Sequence, residues 1–217
     1  MSKLKFPHAS GNSMSIAAPA TNPASDLELK LPATIGTAGQ FLTVDGSGNL
    51  VWANPPGITH VDNWRLPVNI TGAALPITNW ERVDTTTNSF GQGMPIGTGF
   101  NAPSSGAFYF PVTGIWKVDF HAVGYTADEE RYFQAAIGMS GDSGSTWLNM
   151  AYGYGNHYDD SGTTYSNAIA RTTVDVTNTS TQAVRFSTEF ANSANDGTQG
   201  STTGNFTNVL FTRLGDT

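Results

Sequence analysis

In the second half of the chain, apolar and polar side chains alternate with a period of two. Trp116, Val118, Phe120 and Ala122 interleave with Lys117, Asp119 and His121. Phe133, Ala135, Ile137 and Met139 form a second row, and Val184, Phe186, Thr188 and Phe190 alternate with Arg185, Ser187 and Glu189. Successive side chains of a strand point to opposite faces, so this period buries one face of a sheet and wets the other. A helix needs apolar residues at three- and four-residue spacing, and no segment of useful length shows it. Thr113-Gly114 precedes the first row and Ser140-Gly141-Asp142-Ser143-Gly144 closes the second, turn chemistry where strands must reverse. These rows predict an all-β fold, an antiparallel sandwich or jelly roll.

Composition agrees and narrows the function classes. The 217 residues include 24 Gly and 11 Pro, residues that interrupt helices and supply turns. Charged residues are 12% of the chain and the net charge is −7. No basic footprint is left for a phosphate backbone or an anionic lipid surface, and nucleic acid is not an expected partner. There is no cysteine, which removes disulfides, thiol catalysis and thiolate-held zinc. Met1 to Gly11 carries Lys3 and Lys5 without an apolar run behind them; neither a signal peptide nor membrane insertion is expected.

Residues 1–56 read as an extended β-hairpin arm, distinct from a head domain over 57–217. Leu27, Leu29 and Leu31 alternate with Glu28 and Lys30, which predicts a strand ending at Pro32. Gln40 to Val44 and Leu50-Val51-Trp52 predict a hairpin across Asp45-Gly46-Ser47-Gly48-Asn49. Hairpins this small are marginal alone, so the arm is expected to need a partner surface such as sister chains, anchoring or trimerising the protein. Pro55-Pro56-Gly57 reads as the linker.

Chemistry-bearing clusters are few. Asp128-Glu129-Glu130 and Asp159-Asp160 supply the carboxylate pair that glycoside hydrolysis requires, but nothing in the sequence makes them converge. Solvated loops are expected, with no catalytic residues. The same acids with Asp142 and Asn156 offer oxygens to calcium, yet no Asp-x-Asp-x-Asp-Gly loop is present, and Asp142 is expected to cap a turn. His8, His60, His121 and His157 are too scattered to pair on a metal; no cofactor is expected. The triplets starting at Asn69, Asn178 and Asn205 match the glycosylation pattern, as a Thr- and Asn-rich chain does by chance.

The remaining feature is Tyr152-Gly153-Tyr154-Gly155-Asn156-His157-Tyr158-Asp159-Asp160. It reads as a long loop between the strand of Phe133 to Met139 and one beginning near Tyr165. Aromatics between glycines, with amides and carboxylates nearby, are the composition of adaptable sugar-stacking loops. Tyr152, Tyr154, Asn156, His157, Tyr158, Asp159 and Asp160 are therefore the candidate residues for receptor or glycan binding. The alternative is that the tyrosines cover a sandwich edge or an intersubunit seam.

Several runs carry a family resemblance. Phe108-Tyr109-Phe110-Pro111-Val112-Thr113-Gly114-Ile115-Trp116-Lys117-Val118 is similar to the run that opens the core of C1q-like domains. Asn208-Val209-Leu210-Phe211-Thr212-Arg213-Leu214-Gly215-Asp216 resembles that family's last strand, and Tyr165 to Val176 and Ala183 to Phe190 sit where two further strands belong. Trp64-Arg65-Leu66, Asn79-Trp80-Glu81-Arg82 and Thr212-Arg213-Leu214-Gly215-Asp216 resemble C1q-like domains of bacteriophage structural proteins, especially from aquatic phages. Ser15-Ile16-Ala17-Ala18-Pro19, Leu29-Lys30-Leu31-Pro32 and Thr43 to Leu50 resemble phage fibre segments. The resemblance, which covers 62–217 and parts of the arm, implies a C1q/TNF-like jelly roll and a homotrimer packed along a threefold axis. It further implies a non-enzymatic virion surface appendage of tail-fibre or receptor-binding type, assembled in the host cytoplasm. The arm would join other virion structural proteins, and the head would attach to a host surface glycan or protein receptor. A capsid decoration or cement protein, and a free C1q-like carbohydrate-binding protein, are the alternatives left open.

Overall fold

The computed structural model describes the chain except for residues 1–2, 8–9, 18, 22, 27, 54–56, 84–94, 128–129, 159–161 and 192–194. It divides into two units, Met1–Pro56 and Gly57–Thr217.

The first unit contains two hairpins. β1 (Lys3–Pro7) pairs antiparallel with β2 (Ser13–Ala17). β3 (Phe41–Val44) pairs antiparallel with β4 (Leu50–Ala53), with Leu42 opposite Trp52 and Val44 opposite Leu50. Asp45 closes the second turn: its carboxylate accepts the backbone N–H groups of Ser47 at 2.9 Å and Asn49 at 2.8 Å, and the Asn49 amide at 3.0 Å. These bonds hold the Asp45 pKa below the usual carboxylate value, the Asn49 amide first among them. Trp52 Nε1 donates to the Thr34 carbonyl at 2.9 Å. Gly36 lies against the same indole, where a methyl group would approach to 2.5 Å.

The strand expected over 27–31 does not form. Leu27 lies outside the described residues, Lys30 makes one parallel bridge to Asn49, and Leu29 and Leu31 are exposed. Alternation makes a strand only where a partner edge satisfies its backbone groups, and here that edge extends to a single bridge. The hairpin of β1 and β2, by contrast, had no expectation in the sequence. Among the described residues, the first unit contributes no side chain to the buried apolar core. Pro55 and Pro56 of the expected linker fall outside the described residues.

The second unit is an antiparallel jelly roll. Its strands are β5 (Val61–Arg65), β6 (Ile70–Thr71), β7 (Glu81–Arg82), β8 (Phe108–Tyr109), β9 (Gly114–Thr126), β10 (Glu130–Ser140), β11 (Leu148–His157), β12 (Thr164–Val176), β13 (Ala183–Phe190), β14 (Gly197–Thr198) and β15 (Asn208–Gly215). One sheet runs β11-β10-β13-β8; the other runs β6-β14-β9-β15-β5-β7, with β12 on the free side of β9. From β8 onward the chain crosses repeatedly between the two sheets, and only β10 with β11 and β14 with β15 follow each other within one. The C-terminal β15 inserts between β5 and β9.

The alternating rows meet between the sheets. Trp116, Phe120, Phe133, Ile137, Phe186 and Phe190 are all buried. Phe120 and Phe186 lie 5.0 Å apart, and Phe133 stacks on Phe190 at 4.8 Å. Irregular segments complete the core: Phe100 stacks on Phe211 at 4.0 Å, and Trp80 meets Phe186 edge-on at 5.6 Å.

The motifs behind the resemblance are held by ion pairs. Asp62, 2% exposed, takes Arg82 Nε and Nη2 at 3.0 Å each, Trp64 Nε1 at 3.1 Å and the Phe100 N–H at 2.7 Å. Arg82 also donates to the Phe100 carbonyl and lies 4.7 Å from the centre of the Trp64 ring. Beside this network Arg65 pairs with Glu81 at 2.6 Å. Further along β15, Arg213 donates to the Thr113 carbonyl at 2.8 Å and pairs with Asp216. Gly114, at φ 133°, leaves room for the Gly215 carbonyl that any Cβ would strike.

Candidate functional site

The segment from Tyr152 to His157 is not a loop. It forms most of β11, with Tyr154 opposite Gln134, Gly153 opposite Ala135 and Tyr152 opposite Ala136. Its glycines explain both the misleading composition and the geometry. Gly153 and Gly155 occupy the inward positions and face the backbone of β12, a strand of the opposite sheet. A methyl group at Gly153 would overlap the Ile169 carbonyl, and one at Gly155 would come within 2.6 Å of the Asn167 carbonyl. The two sheets thus close on each other so tightly here that only hydrogen fits.

His157 takes the next inward position and is 3% exposed. Its Nε2 lies 2.8 Å from Ser166 Oγ and its Nδ1 lies 3.4 Å from Thr164 Oγ1, both on β12. It ties β11 to β12 and does not face solvent. Tyr158 is exposed just past the strand end, while Asp159 and Asp160 lie outside the described residues.

Inward glycines leave the aromatic rings on the outer face. Tyr152 and Tyr154, 50% and 62% exposed, lie side by side with ring planes 14° apart and centroids 6.4 Å apart. Tyr132 meets Tyr154 edge-on at 6.2 Å. The Tyr132 hydroxyl and Gln134 Nε2 each donate to Glu189 at 3.5 Å, and the Glu189 charge raises the Tyr132 pKa. Asn156 shares the outward parity of the tyrosines and is exposed. The result is an exposed aromatic cluster edged by an amide and a carboxylate, groups that are able to pack on the apolar face of a sugar ring and bond its hydroxyls. Tyr132, Gln134 and Glu189 were not singled out from the sequence. The parity of the rows around Phe133 and Phe190 already placed them outward.

Among the described residues the acids and histidines do not converge. Asp142 holds the turn between β10 and β11, accepting the Thr146 N–H at 2.9 Å and the hydroxyls of Thr146 at 2.6 Å and Ser140 at 2.7 Å. These bonds, the Thr146 hydroxyl first, lower its pKa to about 2. Glu130 opens β10, and Asp128 and Glu129 lie outside the described residues. His60 packs 5.8 Å from Trp116, its pKa lowered by burial and then by Arg213, and His121 lies 2.9 Å from the Asn167 amide oxygen. Among the described residues no group of three or more His, Asp or Glu side chains is placed to hold a metal.

The outward face of the other sheet differs in character. Tyr165, Ile169 and Phe206 are exposed there, and a shallow cavity of about 410 Å³ lies between Tyr165, Phe206, Val123 and His121. Asp119, on the same face, is paired within the chain to Lys117 at 2.7 Å and Arg171 at 3.2 Å.

By sequence the chain matches no family model and no curated protein. By fold it is similar to Eiger TNF from S. frugiperda, with a TM-score of 0.51 at 11% identity, covering 74% of this chain and 96% of that one. Murine APRIL, at pH 5.0, aligns with a TM-score of 0.49 at 12% identity, covering 71% of this chain and 99% of that one. Identities this low speak to architecture alone. Taken with the strand order and the two-sheet core, the Eiger likeness establishes that the chain carries an antiparallel jelly roll of the TNF-like fold.

Proposed function

We propose that this protein is a non-enzymatic, homotrimeric attachment protein whose head binds a surface glycan through the Tyr152 and Tyr154 platform. The observation that carries this reading is the division of the sandwich between two unlike outward faces. The face of β9 and β12 presents Tyr165, Ile169 and Phe206, which suits burial against sister chains. The face of β10 and β11 presents paired tyrosines edged by Gln134, Glu189 and Asn156, which suits a sugar.

The arm fits the same reading. Leu29, Leu31, Ile35 and Val44 are exposed on a unit that supplies no described core residue, so an anchoring surface or another copy would cover them. The motifs quoted from arm and head support placing the protein on a virion as a surface appendage.

Light scattering should return three times the 23.0 kDa chain mass, and Tyr165→Ser with Ile169→Ser should shift it toward one. Tyr152→Ala with Tyr154→Ala should keep the trimer and abolish adsorption to the recognised cells or glycans. Unchanged adsorption with an intact trimer would overturn the binding role, and immunogold labelling of intact particles tests the virion placement.

A further inference from the structure

A second site lies on the outward side of β8 and β13. There a cleft of about 440 Å³ is lined by Arg185, Trp147, Tyr109, Ser104, Ser105 and Ser143, among others. Arg185 is its centre. The guanidinium sits 4.5 Å from the centre of the Trp147 ring, and its Nε is buried with no hydrogen-bond partner among the described residues. Desolvation lowers its pKa below the ordinary arginine value. Four of the other five arginines are neutralised: Arg65 by Glu81, Arg82 by Asp62, Arg171 by Asp119 and Arg213 by Asp216. In a chain where 17 acids face 10 bases, Arg185, unlike these four, has no carboxylate partner among the described residues and is held by an aromatic ring instead. Trp147 is itself fixed, its Nε1 donating to the Gly144 carbonyl at 2.9 Å.

The rim of the cleft is strained. Ser105 and Gly106 have φ of 50° and 80°, and Ser104 and Ala107 exchange backbone bonds of 2.9 and 3.3 Å around them. Ser143 and Gly144 repeat the pattern with φ of 61° and 84° between Asp142 and Ser145. Turns with two positive φ values prefer Asn, Asp or Gly at the first central position, and both have Ser instead. The Ser143 hydroxyl donates to the Ser180 carbonyl. The Ser105 hydroxyl has no hydrogen bond among the described residues, and strain kept at a cleft is a mark of a ligand site.

We propose that this cleft binds the carboxylate of an acidic saccharide, a uronic-acid type of unit, and so names the ligand class of the glycan-binding head. The guanidinium fork takes the carboxylate, the Tyr109 and Trp147 rings flank the sugar, and the Ser104 and Ser105 hydroxyls meet its hydroxyls. A peptide bound by strand addition needs a sheet edge with regularly spaced amide groups, and the edge strand here, β8, is only two residues long; recognition of an acidic motif calls for a cluster of arginines, and the cleft holds one. The inference rests on the proposed glycan-binding role.

Calorimetry with galacturonic acid oligomers, galactose oligomers and a Glu-rich peptide tests it on the full chain. The acidic oligomer should bind more tightly than the neutral one. Arg185→Gln should weaken the acidic oligomer about tenfold to a hundredfold and leave the neutral one unchanged. Ser105→Gly, which relieves the positive φ and so keeps the fold, should also weaken the acidic oligomer. Equal affinity for both oligomers, an acidic affinity indifferent to both variants, or a peptide that binds as tightly as the acidic oligomer would each overturn the proposal. Neutral binding lost in Tyr152→Ala with Tyr154→Ala but kept in Arg185→Gln, with no preference for acid, would sink the cleft alone. Binding of neither oligomer would sink both readings.

Discussion

Replacing Asp62 by Ala tests whether the buried ion network holds the segment that carries Phe100 against the sheet. The carboxylate is 2% exposed and accepts from Arg82, Trp64 and the Phe100 backbone. Removing one partner of a buried pair costs about 3–5 kcal/mol, because the other charge is left without compensation. The Arg82 side chain is 36% exposed and recovers part of its hydration, which favours the lower end. The orphaned Trp64 and Phe100 N–H groups push the other way by about 1–3 kcal/mol each when buried, without adding in full. The expected loss is about 3–4 kcal/mol, and with a urea slope of about 2 kcal/mol/M the midpoint falls by roughly 1.5–2 M. Urea titration followed by tryptophan fluorescence reads this directly. Asp119→Ala is the comparison, since the Lys117 and Arg171 side chains are 46% and 64% exposed and an exposed pair is worth at most about 1 kcal/mol. Equal midpoints for the two variants would refute the reasoning.

Gly153→Ala should destabilise the head by about 1–3 kcal/mol through overpacking against the β12 backbone and speed amide exchange in β11, whereas Gly57→Ala, with open space around it, should do neither. Phe186→Ala removes a fully buried ring that contacts Trp80, Phe108, Phe120 and Phe211 and should cost about 3–5 kcal/mol in thermal or urea unfolding. The Asp142 pKa falls from 3.8 to about 2 on folding, so its contribution is complete above the unfolded value and is lost as pH drops from about 4 to about 2. Melting curves of wild type and Asp142→Asn across that window should converge as the pH falls.

Strands were legible where one face is buried by side chains large enough to register as apolar. Trp116 to Ala122 on β9, Phe133 to Met139 on β10 and Val184 to Phe190 on β13 all read correctly, because burial on a single face imposes the period of two. β11 escaped because its inward positions are Gly153 and Gly155, dictated by the β12 backbone, a partner that no local pattern reveals. The same fact turned a strand into an apparent loop and hid the Tyr152 and Tyr154 platform as a sheet face. The error over Leu27 to Leu31 ran the other way, since alternation was present without a partner edge. Ile77, Trp80 and Phe100 enter the core from irregular segments and have no period to read. The Arg185 cleft needs Trp147, Ser105 and Arg185 together, residues that only the fold brings to one place.

The assignment of association to one face and ligand binding to the other follows from where charges are already satisfied. On the face of β9 and β12, Asp119 has its own Lys117 and Arg171, so a partner surface need supply no counter-ion. Burying Tyr165, Ile169 and Phe206 there removes apolar area from water without stranding a charge among these groups. Among the described residues, the opposite face keeps Glu189 held only by long bonds of 3.5 Å and Arg185 without a carboxylate. Covering that face with an apolar partner would strand both groups, at the several-kcal/mol penalty of an uncompensated charge. A polar, hydroxyl-rich ligand would satisfy them instead. The jelly roll thus separates a surface that is cheap to dry from one that is expensive to dry, and the proposed function rests on that difference, with sister chains covering the first and a sugar meeting the second.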